Sequence, residues 1–161
     1  MLQPDTLCFP NNVVALLASA AQDIDPDIRV VKRPVRMADP SQTIGISPTI
    51  WTPEQDSLEM RGGPHEPTLQ NYGIAVQGFV KAGDEADGIA VHSLLAYKLR
   101  EMLYRDPALK VALPLLSVTL NGSTEKLQKW KVISQPYLNN EHDSKFIYLS
   151  TAELWVQTAI F

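Results

Sequence analysis

The sequence predicts an α+β fold, a mainly antiparallel sheet with one long amphipathic helix and shorter helices packed on one face. Three observations predict it. Gly83 to Asp106 carries apolar residues at helical spacing; Thr68 to Lys81 and the run from Glu125 to Phe161 show long strand-like stretches; and the order helix, strands, helix, strands sets helices against one side of a sheet. The polar run Asn139 to Ser144 between the last two strands reads as a hairpin loop, which makes those strands antiparallel neighbours.

In chain order, Asn11 and Asn12 read as caps of a first helix, Val13 to Gln22, stopped by Asp23, Asp25 and Pro26. Ile28 to Val35 mixes β-branched residues with cations before Pro34 and Pro40, as expected of a strand ending near a sheet edge. Thr43 to Ile46 reads as a second short strand. From Ser47 to Pro67 the composition changes to Pro48, Pro53, Gly62, Gly63, Pro64 and Pro67, with Ile50, Trp51, Leu58 and Met60 among them. This is a long loop or a projecting hairpin arm whose apolar residues need a burial site. Thr68 to Lys81 then places Tyr72, Ile74, Val76 and Val80 on one face and Asn71, Gly73 and Gln77 on the other, with Gly73 and Gly78 marking close backbone approach or a bulge.

The stretch that organises the chain is Gly83 to Asp106. Val91, Leu94, Leu95, Leu99, Met102 and Leu103 form its stripe, and Asp87, His92, Ser93, Arg100 and Glu101 fall mostly away from it. Asp84, Glu85 and Asp87 lie at the positive end of the helix dipole, Lys98, Arg100 and Arg105 toward the negative end, and Pro107 disfavours helical backbone at Asp106. Burying the six stripe residues stabilises the fold by on the order of 10 kcal/mol, before entropy is counted. Ala108 to Leu116, broken by Pro114, reads as a helical turn over one end of the core, and Asn121-Gly122 as a tight turn. Two long strands follow, Glu125 to Leu138 and Lys145 to Phe161.

A chain of 161 residues is one domain's worth of core, so residues 1–161 are expected to form a single domain. Hydrophobic residues at 45% and charged residues at 20% match neither a disordered chain nor a membrane protein. A net charge of -4 speaks against a general nucleic-acid binder, and Arg29, Lys32, Arg33 and Arg36 read as the solvent face of a strand. Cys8 is the single cysteine, so no internal disulfide is available and a reducing compartment is expected. Between Leu7 and Phe9 it reads as a structural thiol. Val13 to Ala21 is too short to cross a bilayer and follows no basic region, so neither a membrane span nor a secretory signal is expected.

Catalytic signals are sparse. His65, His92 and His142 do not stand at metal-ligand spacing to one another or to Cys8. His142, Asp143 and Ser144 are the residue types of a hydrolase triad, but neighbours on one turn do not form that relay. Gly62-Gly63 precedes a proline and not a phosphate-cradling helix. The expectation is a protein that is not an enzyme and takes no metal or cofactor, whose surfaces are its function.

Three strings carry a family resemblance: Met102-Leu103-Tyr104-Arg105-Asp106-Pro107, Tyr137-Leu138-Asn139-Asn140, and Phe146-Ile147-Tyr148-Leu149-Ser150-Thr151-Ala152-Glu153-Leu154-Trp155. From about Thr43 to the C-terminus the chain resembles the tail terminator (tail completion, or minor tail) proteins of long-tailed bacteriophages. The resemblance implies a virion protein at the head-proximal end of the tail, assembled in the host cytoplasm. It implies a ring, commonly a hexamer, that caps the tail tube protein, stops polymerisation and meets the head-tail connector or neck protein; an acidic balance suits passage of DNA through such a conduit. It supplies no catalytic residues. Ile50, Trp51, Leu58 and Met60 in the arm, and Asn139, Asn140 and His142 in the expected loop, are then the candidates for contact with a neighbouring subunit or the tube. The runner-up readings are a head-completion or head-tail joining protein and, from another class, a small hydrolase or ligand-binding domain using His92 or His65.

Overall fold

The computed structural model describes residue 1 and residues 8–49, 68–142 and 145–161; residues 68 and 134–142 are described by their backbone alone. The α+β expectation holds. The described residues form helix α1 (Phe9–Gln22), strands β1 (Arg29–Val31), β2 (Thr43–Pro48) and β3 (Thr68–Ala82), helices α2 (Glu85–Arg105) and α3 (Pro107–Leu115), and strands β4 (Ser117–Leu120), β5 (Ser123–His142) and β6 (Lys145–Ile160). The sheet runs β1-β2-β3-β6-β5-β4, with β1 parallel to β2 and every other neighbour antiparallel.

Helix α2 starts and stops as its sequence dictates. The Asp84 carboxylate accepts the Asp87 N–H at 2.9 Å, and Asp106, ahead of Pro107, has extended backbone (φ -61°, ψ 116°). Its buried stripe differs from the expected one. Gly88, His92, Leu95, Leu99, Met102 and Leu103 face the sheet, Val91 is only partly buried, and Leu94 is 56% exposed. The phase is set by glycines: a Cβ on Gly78 would stand 2.9 Å from Leu99 Cδ1, and one on Gly88 would stand 2.5 Å from Tyr148 Cε2. The helix therefore rests with Leu95 and Leu99 over bare backbone on β3, and His92 stacks on the Tyr148 ring at 5.5 Å. A polar residue at 92 hid the true centre of the stripe.

Helix α1 begins at Phe9 and not at Asn11–Asn12. Pro10 occupies its first turn, where its missing N–H costs nothing, and Phe9 is buried and stacks on Tyr72 at 6.1 Å. Helix α3 is a full helix, with Pro114 in its last turn and Leu109 and Leu113 buried. Asn121 (φ 52°) and Gly122 (φ 82°) supply the positive φ values of the β4–β5 turn. Strand β4 before that turn carries no sequence signal, because Val118 is its one buried residue.

Strand β1 is shorter than expected, and residues 32–42 form a crossover rather than strand. A parallel β1–β2 pair needs such a crossover. It passes over the sheet face opposite the helices: a Cβ on Gly45 would stand 2.5 Å from the Arg33 carbonyl oxygen, and the Val35 N–H donates to Gln77 Oε1 at 3.0 Å. Arg33 forks onto Asp39 at 2.8 and 2.6 Å, and the Arg36 N–H donates to the same carboxylate. Arg33 and Arg36 thus belong to this pinned crossover and not to the solvent face of a strand.

Two buried groups make acid stability predictable. The Arg33 hydrogen bonds, then the Arg36 N–H, hold the Asp39 carboxyl well below the usual carboxylate range. Burial pushes the His92 imidazole below its ordinary value. A depressed carboxyl contributes stability that is present above its unfolded value, about 3.9, and lost as pH falls toward the folded one; a histidine kept neutral loses its contribution as pH falls below about 6.5. His92→Gln is expected to flatten the stability curve below about pH 6.5, and Asp39→Asn to flatten it below about pH 4. Urea titrations across that range check both; unchanged slopes would contradict the assignment.

Candidate interaction surface

The residues singled out by sequence divide into two groups. Ile50, Trp51, Leu58 and Met60 lie outside the described residues. Asn139, Asn140 and His142 are not in a loop: they extend β5, opposite Tyr148, Ile147 and Lys145 of β6. The apolar partners Phe146, Ile147 and Tyr148 carry the pairing past a polar sequence that by local preference reads as a turn, a case of tertiary context outweighing propensity. Pro136 falls within a register shift between Gln135 and Leu138, where a strand tolerates a residue without an N–H.

Further large apolar side chains are exposed among the described residues. On α2, Leu94, Tyr97 and Tyr104 are each about half exposed and, with Glu101, recur at i, i+3, i+7 and i+10, a second stripe opposite the buried one. On α3, Val111 and Leu115 are exposed one turn apart, opposite the buried Leu109 and Leu113. On β5, Trp130 is 38% and Ile133 37% exposed. The Tyr104 hydroxyl, 3.5 Å from the Val132 carbonyl oxygen, ties the end of α2 to β5 beside Trp130. The i+3/i+4 spacing of the second stripe is in the sequence, but by periodicity alone Leu94 fits the core stripe equally well.

The two faces of β5 differ. Trp130 and Val132 lie opposite Val156 and Leu154, on the helix side; Lys126, Lys129, Lys131 and Ile133 lie opposite Ala159, Gln157, Trp155 and Glu153, on the other. All three lysines are exposed. A further register shift between Leu127 and Lys129 keeps them on one face despite the spacing of three between Lys126 and Lys129.

No family model and no curated protein matches this chain.

Other polar groups are committed to holding strands together. Glu125 on β5 accepts from the Tyr72 hydroxyl of β3 at 2.7 Å and from the Thr158 hydroxyl of β6. Burial first, and the Glu125 bond second, push the Tyr72 phenol well above its usual value, so it stays a donor. Among the described residues no three of His, Cys, Asp or Glu converge on a point that would hold a metal ion. No helix among them is long and apolar enough to cross a membrane. Cys8 is half-buried at the N-cap of α1 and makes no side-chain capping bond.

Proposed function

We propose that this chain is a structural virion protein of a long-tailed bacteriophage that closes into a ring, commonly of about six subunits in such proteins, on the head-proximal end of the tail tube. There it stops tube polymerisation and presents the surface that the neck protein meets. The observation that carries the reading is the apolar surface left open on α2, α3 and the helix side of β5, where Leu94, Tyr97, Val111, Leu115 and Trp130 face solvent. Several large apolar side chains exposed on adjoining elements mark contact surface. The resembling strings support it further: one closes α2, one runs through β5, and one forms most of β6.

The test is tube length. Purified chain added to polymerising tail tube protein is expected to arrest growth and leave a ring at the tube end in negative-stain images. Tubes of unchanged length with bare ends would contradict the reading. A ring that leaves tube growth alone and binds portal-side proteins would move the assignment to head-tail joining.

A further inference from the structure

The two faces of the sheet differ in charge as well as in cover. On the face turned away from the helices, Lys126, Lys129 and Lys131 of β5 lie opposite Ala159, Gln157 and Trp155, every second residue of β6, so the register shift after Leu127 sets them in one row with steps of about 7 Å. All three are exposed, and no ion pair among the described residues involves them. Ser117 of β4 stands opposite Lys126, and the hydroxyls of Thr119 and Thr124, 3.0 Å apart, extend the row. Further along the same face Lys81 and Lys145 border, with Ser41, a hollow of about 370 Å³. The nearby carboxylates are engaged or turned away. Glu125 accepts from Tyr72 and Thr158 on the helix side, Asp39 holds Arg33, and Glu153 Oε1 lies over Gly73 of β3, 2.7 Å from where a Cβ would stand. A chain of net charge -4 therefore carries a basic sheet face.

We propose that this face binds duplex DNA through its phosphate backbone. The inference goes beyond the ring reading and does not depend on it. Lysine is depleted where protein binds protein, and the apolar surface that marks such contact here lies on the helix side. A regular row of lysines and hydroxyls instead suits successive phosphates, which Lys, Ser and Thr side chains contact without reading sequence. Single strands are held by stacking of bases on aromatic rings. On this face of β5 no ring stands between Lys126 and Lys131, because Trp130 turns to the helix side. The contact is electrostatic, so its signature is steep weakening with salt.

The test follows the anisotropy of a labelled duplex over a salt series, with the full chain. Three lysine–phosphate contacts contribute about -2.7 to the slope of log K against log salt, so affinity is expected to fall at least about 40-fold between about 50 and 200 mM salt. Lys126→Gln with Lys129→Gln and Lys131→Gln is expected to make that slope shallower by at least about 2 and to weaken binding at least about tenfold at the lower salt. Thermal unfolding and native mass are expected to stay unchanged in that variant, and Lys110→Gln on α3 is expected to alter nothing. An unaltered slope in the triple variant overturns the proposal, as does a wild-type chain that ignores the duplex at the lower salt. Tighter binding of single strands or of polyglutamate than of duplex also overturns it, and loss of self-assembly in the triple variant would assign the row to a subunit contact. Native mass keeps the two readings apart: rings that ignore DNA overturn this inference alone, and a monomer that binds DNA through the row upholds it whatever becomes of the ring.

Discussion

Leu99→Ala is expected to lower the unfolding free energy by about 2–5 kcal/mol. Leu99 is 3% exposed, and its Cδ1 fills the space over Gly78 where β3 offers no side chain. Neighbours close that gap poorly: Leu95 already leans on the same glycine, and β3 is held in the middle of the sheet by β2 and β6. The deletion therefore leaves a cavity. Leu94→Ala is the control; with Leu94 turned to solvent, its cost is expected to stay within about 0.5 kcal/mol. Denaturant unfolding of both variants checks the phase of α2, and equal costs would contradict it.

Gly45→Val is the second large effect, expected at about 1–3 kcal/mol or more. A Cβ there would stand 2.5 Å from the Arg33 carbonyl oxygen and 2.9 Å from the Val35 nitrogen, both backbone atoms that no rotamer change moves. The crossover is held on both sides, by Arg33 on Asp39 and by Ser41, whose hydroxyl donates to the Lys81 carbonyl oxygen and accepts the Lys81 N–H. It must lift off β2 or pull those anchors away. Loss of the Asp39-dependent acid slope in Gly45→Val would show the fork breaking, and a variant as stable as the wild type would contradict the packing described.

The contrast between these two sites shows what was legible in the sequence. Helix α2 announced itself through Asp84, Pro107 and the Leu95–Leu99–Met102–Leu103 spacing, all local signals. Its rotation did not, because which side faces the sheet depends on Gly78 and Gly88 meeting Leu99 and Tyr148 across the fold. The faces of β3 followed from alternation alone. The crossover resembles strand in the sequence because Val30, Val31 and Val35 fit a strand locally, while the pull of Asp39 on Arg33 operates six residues away. The polar ending of β5 looks like a loop for the same reason, since its partners on β6 decide its structure. For the interaction surface, a leucine shows only that it is apolar; whether it faces core or solvent was settled by packing, as at Leu94.

Native mass over a concentration series decides whether the subunits close into a ring. A closed species of about six subunits is expected, with a ring visible in negative-stain images and no continuous growth in mass, because a head-to-tail interface that closes has no free end. A monomer at every concentration that also fails to join tail tubes would contradict it.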